Sequence, residues 1–382
     1  MYQRMLDLNG LVQKKSMFLF GPRSTGKTTL LRNLYPETAI INLLKSETFL
    51  YLSANPGNLR SLVREIQKIS SVIVLDEIQK IPELLNEIHD LIETTDLKFI
   101  LTGSSARKLR AGGVNLLAGR AWPARLFPLI YKELPDFSLE RYLQIGGMPQ
   151  VWTSQDPIEE LDSYVEIYLR EEIRSEGLVQ NLMDFSRFLR AVGLTNTEQL
   201  NYANISRDTG VAANTIRGWY ELLVDTFLGF FLEPWQESKK RKAIATPKWY
   251  LFDIGVAHFL TGNLQVNPNT SEYGKAFEHF IAMELQAWLS YNRIKLPLTY
   301  WRSTTGFEVD FLVGNQLAIE VKATTRVDSR DLKGLKALQQ ENIFSQYMVV
   351  SLDPLARMTD EGIRILPWET FLNELWGGEL VG

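Results

Sequence analysis

The feature that most constrains this chain is the segment 21–28, which has the sequence GPRSTGKT. It matches the pattern G-x-x-x-x-G-K-[ST], whose glycines let backbone N–H groups curl around a phosphate chain. The preceding residues 16–20 predict a buried strand, and residues 28–34 predict a helix whose positive N-terminus points at the same anion. The segment therefore predicts a nucleotide-phosphate site. The alternative is a glycine-rich turn between two core elements.

The predicted ligand of this segment is ATP with Mg²⁺. Lys27 is expected to reach the β- and γ-phosphates, and Thr28 is expected to offer its hydroxyl to the metal. The complete set of predicted contacts in the segment is Gly21, Pro22, Arg23, Ser24, Thr25, Gly26, Lys27, Thr28 and Thr29.

A second nucleotide signal is the run 71–77, SVIVLDE, in which apolar residues end in two carboxylates. A fully buried parallel strand has such a continuous apolar run, and ligands bind beyond its carboxyl end. Asp76 is expected to hold Mg²⁺ through water or with Thr28, and Glu77 to activate the attacking water as the catalytic base. The alternative is a strand that ends in an exposed acidic turn.

Polar residues after the next apolar run complete the predicted nucleotide site. Residues 98–103 predict a further buried strand, and Thr102 or Ser104 is the candidate sensor of the γ-phosphate. The alternative for either residue is a strand that ends in a Ser/Thr turn. Arg120 and Arg125 are candidates for an arginine finger or for structural ion pairs.

Composition excludes several other classes of site and of protein. The chain has 382 residues, 45% of them hydrophobic, which is enough for two or three domains with real cores. It has no cysteine, which excludes disulfides, thiolate zinc sites and a cysteine nucleophile. The net charge is −4, so any contact with nucleic acid must be a local patch. No run approaches the 18 or more apolar residues of a membrane span, so we expect a soluble, cytoplasmic protein without membrane contact.

Several longer segments carry a resemblance to a known family. They are GPRSTGKTTL, VIVLDEIQKIP, FILTGSSARKL, LLAGR followed by FPLIYKEL, and YLQIGGMP. In this order they resemble a large group of bacterial and archaeal AAA-type ATPases that carry a C-terminal domain of unknown function with a restriction-endonuclease-like fold. The resemblance covers essentially the whole chain and implies an AAA+/STAND-like nucleotide switch. It also implies that Pro149 contacts the adenine base; the alternative for the preceding glycines is a helix C-cap.

The middle of the chain predicts a helical lid followed by a winged helix. Helices are expected over 139–145, 158–176 and 186–193. Residues 201–223 resemble a helix-turn-helix with Gly210 in its turn and Asn214 as the cap of the second helix. Strands over 227–234 and 249–252 would form a wing around the basic segment, residues 239–242 (KKRK), which is the footprint of DNA phosphate contact. The alternatives are a winged helix that serves as a lid or a protein contact, and a charged hairpin tip that is simply solvated.

The last part of the chain predicts a nuclease-like site. Glu278 lies on a predicted helix, Asp310 on a strand of alternating pattern, and Glu320 and Lys322 on the strand LAIEVK. Together they match the PD-(D/E)xK nuclease pattern, with Val309 in place of the proline. Two carboxylates, Asp310 and Glu320, would bind Mg²⁺ while the lysine positions water. The alternative is a structural fold with an exposed E-x-K strand.

The register of the two strands decides whether these carboxylates converge. A two-residue turn would pair Asp310 with Ile319 and leave the two carboxylates on opposite faces. A three-residue loop, 314–316, places Asp310 opposite Glu320, and glycine or asparagine suits its positive φ. We therefore expect an odd-length loop or a bulge.

The sequence thus predicts an α/β protein of four parts. They are a P-loop AAA+/STAND-like core with a parallel sheet (1–135), a helical lid (136–180), a winged-helix-like domain (181–247) and a PD-(D/E)xK-like α/β domain (248–382). The expected function is an ATP-hydrolysing switch that acts on or at DNA. The alternatives are an ATP-gated metal-dependent DNA nuclease and a non-catalytic signalling or protein-binding switch. Expected partners are ATP, DNA and further copies of the same chain.

Overall fold

The computed structural model describes residues 2–105, 107, 109, 117–169, 179 and 181–380. They form two compact units. The first comprises the chain up to Leu129 together with Tyr220–Leu228, and the second comprises Ile130–Trp219 together with the chain from Gly229 onward. The predicted boundaries after residues 135, 180 and 247 stay predictions.

The first unit is a parallel α/β layer structure. Its helices and strands are α1 Leu8–Lys14, β1 Ser16–Phe20, α2 Lys27–Leu34, β2 Ile40–Asn42, α3 Ser46–Ala54, α4 Leu59–Ile66, β3 Val72–Asp76, α5 Leu84–Thr94, β4 Lys98–Gly103 and β5 Ala121–Arg125. The five strands run parallel in the order β2-β3-β4-β1-β5. This confirms the predicted parallel sheet.

The continuous apolar runs of the sequence become the buried strands of this sheet. All five residues of β1 are buried, as expected for a strand covered by helices on both faces. Phe18, Leu75 and Leu101 belong to one core cluster with side chains from the surrounding helices. Because β1, β3 and β4 are neighbouring parallel strands, their carboxyl ends meet at one edge of the sheet, where the predicted nucleotide residues lie.

The second unit combines a helical part with a large mixed sheet. Its elements are α6 Leu139–Ile145, α7 Pro149–Thr153, α8 Pro157–Ser163, α9 Leu182–Leu194, α10 Tyr202–Thr209, β6 Gly229–Pro234, β7 Lys248–Leu251, α12 Ile254–Thr261, α13 Ser271–Tyr291, β8 Leu298–Arg302, β9 Glu308–Val313, β10 Leu317–Lys322, α14 Lys333–Gln339, β11 Gln346–Ser351, β12 Arg357–Met358, β13 Ile363–Pro367 and α15 Trp368–Gly377. Helix α11, Ala213–Asp225, contains the boundary between the units.

The helix predicted over 139–145 is confirmed residue for residue as α6. The helix predicted over 158–176 begins one residue earlier, at Pro157, and continues after Ser163 as a π-helical segment, Tyr164–Leu169. The remainder of that prediction, from residue 170 on, lies outside the described residues.

The predicted helix-turn-helix is confirmed in its helices and turn. Gly210 ends α10 in the left-handed conformation, at φ 72°, where glycine has no steric penalty. The predicted cap is wrong, because α11 begins at Ala213 and Asn214 therefore lies inside the helix.

The two strands expected to form a wing lie in the eight-stranded sheet of the second unit. Its order is β12-β13-β11-β10-β9-β8-β6-β7. β6 pairs with β7 in antiparallel fashion and with β8 in parallel fashion through Glu233 and Pro234. The edge of β8 offers backbone hydrogen-bonding groups that β6 satisfies, so these strands extend the sheet and do not form a separate wing.

The loop between β9 and β10 has the predicted length. Leu317 pairs with Val313, and Ile319 pairs with Phe311, which leaves a three-residue loop. Gly314 in this loop has a φ of 50°, the left-handed conformation that the short loop requires. The next step of this register places Asp310 opposite Glu320, and the Val321 N–H donates to the Asp310 Oδ2 at 2.8 Å. The two carboxylates therefore point to the same face of the sheet.

Candidate functional site

The loop after β1 has the backbone expected of a phosphate cradle. A Cβ at Gly21 would lie 2.4 Å from the Leu126 carbonyl oxygen, so only glycine fits where the loop passes the end of β5. Ser24 and Gly26 have positive φ values of 61° and 92°, and α2 begins directly afterwards at Lys27. Alternating left-handed residues before a helix N-terminus turn successive N–H groups toward one point, the geometry that binds anions.

Lys27 lies across this loop. Its Nζ donates to the carbonyl oxygens of Gly21 and Pro22, each at 2.8 Å, and the Thr25 hydroxyl donates to the Pro22 carbonyl at 2.9 Å. The side chain is 6% exposed, so the charge is held inside the loop. An ammonium in this position is available to phosphate oxygens that enter the cradle.

Asp76, the last residue of β3, is held by two hydroxyls. The Thr28 hydroxyl donates to its Oδ2 at 3.0 Å, and the Thr102 hydroxyl donates to its Oδ1 at 2.5 Å. The Thr102 oxygen also accepts the Glu77 N–H at 2.9 Å. Thr102 is fully buried and joins the ends of β3 and β4, so its hydroxyl positions the two carboxylate residues.

Glu77 follows directly and stands in a strained conformation. Its φ is 66°, an uncommon value for a residue with a side chain. The Gln79 amide donates to the Glu77 Oε2 at 2.6 Å and to the Ser104 hydroxyl at 3.3 Å. Strained residues that surrounding contacts hold in place cluster at functional sites. Ser104 thus lies in the same network as Glu77.

Sequence reasoning missed Gln79. The residue was visible in the DEIQK segment, two positions after the predicted base, but an amide carries no charge signal. Its Oε1 is buried without a hydrogen-bond partner among the described residues. A Cβ at Gly103 would lie 2.8 Å from this oxygen, so the glycine after Thr102 makes room for the amide.

The two arginine-finger candidates make contacts within the first unit. The Arg120 guanidinium donates to Glu93 on α5, which lowers the pKa of that carboxyl. The Arg125 guanidinium stacks on the Phe227 ring with 5.1 Å between its central carbon and the ring centroid. Arg120 therefore makes the structural ion pair that the sequence allowed as its alternative; a finger role for either arginine stays a prediction.

The glycines before Pro149 are held by a residue that the sequence did not single out. Asp253 caps α12 and accepts the Gly147 N–H at 2.8 Å. A Cβ at Gly146 would lie 2.2 Å from the Asp253 Oδ1. Burial raises the pKa of Asp253 to about 6, although backbone N–H groups oppose that shift. Pro149 itself begins α7, and its predicted contact with the adenine stays a prediction.

A second group of charged side chains lies in the second unit. We call Glu278, Glu308, Asp310 and Glu320 the carboxylate cluster. Burial raises the pKa of Glu320 well above its ordinary range, and the nearby Asp310 charge adds to the effect. The Lys322 ammonium pairs with Glu320, with which it was predicted to share one face of the strand.

The cluster holds a lysine that the sequence did not single out. The Lys248 Nζ lies 2.7 Å from Glu308, 3.0 Å from Glu278 and 3.8 Å from Asp310. Burial disfavours the ammonium, but the attraction of these carboxylates and of Tyr250 outweighs it and raises the pKa of Lys248 well above its ordinary range. In the part of the chain that the structure describes, no group of three or more histidine, cysteine, aspartate or glutamate residues could hold a metal ion.

Comparison with known families gives three consecutive matches. Residues 13–135 match an AAA domain, residues 136–267 match a domain of unknown function (DUF8612), and residues 273–371 match a domain of unknown function (DUF4143). The match to an AAA domain covers the phosphate loop and the parallel sheet, and both features are consistent with that match. Residues 13–135 are therefore similar to AAA domains, a similarity that suggests a nucleotide-binding ATPase.

Similar proteins in other organisms are uncharacterised. One from Mycobacterium tuberculosis is 26% identical over 322 residues, covering 81% of this chain and 70% of that protein. One from Haemophilus influenzae is 23% identical, covering 69% and 72%. One from Methanocaldococcus jannaschii is 22% identical, covering 94% and 85%. None of these relatives supplies an activity.

Among solved structures, Can2 from Sulfobacillus thermosulfidooxidans in complex with cyclic tetra-adenylate shows 11% identity and a TM-score of 0.23. The aligned region covers 84% of this chain and 95% of that one. Within the described ranges, every helix is too short or too polar to cross a membrane.

Proposed function

We propose that this protein binds ATP with Mg²⁺ and hydrolyses it, as an AAA+ nucleotide switch. The observation that carries the proposal is the continuous chain of hydrogen bonds from Thr28 through Asp76 and Thr102 to the Glu77 backbone. It joins the phosphate loop to the predicted base across neighbouring strands. A glycine-rich turn with only a structural role would not require these polar side chains at the same edge of the sheet.

The oxygen atoms beside the loop fit Mg²⁺. A threonine hydroxyl and an aspartate carboxylate are hard oxygen donors, the kind that this ion prefers, and Thr28 and Asp76 already lie within hydrogen-bond distance of each other. When bound, the ion would neutralise charge on the β- and γ-phosphates. Lys27 would exchange its two carbonyl partners for phosphate oxygens.

Glu77 is the proposed base. The Gln79 amide donates to one carboxylate oxygen of Glu77, and the other oxygen is the proposed contact for the attacking water. Ser104, held by the same amide, is the proposed contact with the γ-phosphate side of the site. Removal of a general base typically costs about 10²- to 10⁴-fold in rate.

The test is Glu77→Gln with ATP turnover and ATP affinity measured on the same preparation. We expect binding close to wild type and turnover at least about a hundredfold slower. Normal turnover in Glu77→Gln would remove the base assignment. A wild-type protein that binds ATP but never hydrolyses it would favour the non-catalytic switch instead.

We propose DNA as a partner of the basic segment. Lys239, Lys240 and Lys242 are exposed. The Arg241 guanidinium, in contrast, donates to the Ala337 carbonyl and to the Gln340 side chain. Three of the four cations of the basic segment are therefore available to phosphates, whereas the sequence suggested all four. The α10–α11 pair beside Gly210 is the proposed helix-turn-helix, and the four predicted domains remain the proposed division of the chain.

A nuclease-like fold for the C-terminal part is also a proposal. The order helix, three antiparallel strands, helix and parallel strand, from α13 through β11, supports it. The convergence of Asp310, Glu320 and Lys322 supports it as well. The residues around Asp310 do not fit a metal ion, however, because Lys248 lies among them.

A further inference from the structure

We infer that the Lys248 ammonium takes the place of a metal ion in the carboxylate cluster, so that the C-terminal site is built to be metal-free. The pattern of glutamate, aspartate and E-x-K residues predicts a divalent-cation site there. The tertiary structure instead sets a positive charge that belongs to the chain against three of the four carboxylates, Glu278, Glu308 and Asp310. This role of Lys248 is separate from the proposed ATPase and does not depend on it.

Lys248 has the contacts expected of a cation bound in a fully formed site. Its side chain is 5% exposed and reaches Glu278 on α13 and both Glu308 and Asp310 on β9. Lysine is almost never buried this deeply unless it is paired. Carboxylates from two elements supply that pairing, as they would for a bound cation.

The surroundings also suit an ammonium better than Mg²⁺. The Glu278 oxygen that faces Lys248 already accepts the Tyr250 hydroxyl at 2.5 Å. The Tyr300 ring lies beneath the ammonium, with 5.4 Å between Nζ and the ring centroid. An aromatic face attracts an organic cation, whereas Mg²⁺ requires about six oxygens in near-octahedral geometry.

A divalent ion and Lys248 cannot share the cluster as it stands. Mg²⁺ must approach its oxygens to about 2.0–2.1 Å. One of the two predicted ligand residues, Asp310, already lies 3.8 Å from the lysine charge, and both side chains are buried. Repulsion between the two cations is poorly screened in such a place. The lysine must leave before a metal can enter.

The consequence is a structural role for the cluster. Lys248 is the first residue of β7, so its ion pairs fasten the outermost strand to α13 and to β9 in the interior of the sheet. Residue types that bind a metal ion in a nuclease here form ion pairs that stabilise the packing of β7. Lys248 is therefore a positioning residue and not a catalytic one.

The first test uses the wild-type protein without nucleotide. Mn²⁺ binding is measured by calorimetry and by electron paramagnetic resonance on wild type and on Asp310→Asn, which keeps an oxygen for the Val321 N–H. We expect the two proteins to bind Mn²⁺ identically, because any ion that both proteins bind should lie outside the carboxylate cluster. Wild-type binding that Asp310→Asn removes would overturn the inference.

The second test asks whether metal replaces the lysine. Lys248→Ala leaves a cation-sized space, Lys248→Met fills it with an uncharged chain, and Lys275→Ala removes an exposed pair with Glu198 as a control. We expect removal of the lysine to lower the melting temperature. Of the three variants, only Lys248→Ala should regain melting temperature when Mn²⁺ or Mg²⁺ is added. A folded Lys248→Ala that gains nothing from metal contradicts the inference; if it does not fold, the comparison of wild type with Asp310→Asn decides.

Discussion

Replacing Thr102 with valine tests the centre of the proposed ATPase site. Valine keeps the shape and the burial but deletes a hydroxyl that accepts from Glu77 and donates to Asp76. The Glu77 N–H would be left as a buried donor without a partner, at a cost of about 1–3 kcal/mol. The lost bond to a charged carboxylate is worth about 1.5–3 kcal/mol. Because one hydroxyl makes both bonds, the two costs do not add fully, and we expect the first unit to lose about 3 kcal/mol.

Turnover should fall more than ATP affinity. Lys27 and the loop amides, which would bind the phosphates, are untouched, whereas both carboxylate residues lose a shared anchor. A misplacement of about 1 Å at a reacting centre costs on the order of a hundredfold. We therefore expect kcat to drop by about ten- to a hundredfold, with a smaller change in ATP affinity.

The assay combines phosphate release, ATP titration and hydrogen exchange of the peptide that contains β3 and Glu77. Thr102→Ser is the matched control, because it keeps the hydroxyl and loses only a methyl group, worth about 0.8 kcal/mol. Exchange should speed up at Glu77 in the valine variant and stay slow in the serine variant. Equal exchange and equal turnover in the two variants would refute the reasoning.

Three further predictions concern other charged groups. Lys27→Ala should weaken ATP binding in a titration, because it removes the cation held inside the loop; unchanged affinity would place the phosphates elsewhere. Burial raises the pKa of Glu284 from 4.5 to about 7, so the contribution of Glu284 to the free energy of unfolding should be fully present below pH 4.5 and fall by on the order of 3 kcal/mol as pH rises to 7. Urea unfolding of Glu284→Gln should lack that part of the slope, and a variant with the wild-type slope would contradict the assignment. Exchanging the exposed lysines of the basic segment for glutamine should reduce the log–log salt dependence of duplex binding by up to about three units; an unchanged slope would exclude this surface as the DNA contact.

Local patterns in the sequence were enough to predict several strands, the loop and helix after β1, and the register of β9 and β10. The strand–loop–helix around 21–28, the strand that ends at Asp76 and the strand Lys98–Gly103 could be predicted because parallel buried strands have continuous apolar runs. The three-residue loop between β9 and β10 could be predicted because side chains alternate between faces of a sheet with a period of two.

Only the tertiary structure decided which polar groups share a site. Gln79, Thr102 and Asp253 act through hydrogen bonds to residues that lie near them in space, and an amide or hydroxyl carries no pattern of its own. Lys248 lies 30 residues from Glu278 in the chain, directly before the segment 249–252 that was expected to belong to a wing. The pairing of β6 with β8 brings it to the carboxylates. Sequence patterns report which side chains a strand presents, but the partner of a buried charge is set by the packing of distant elements.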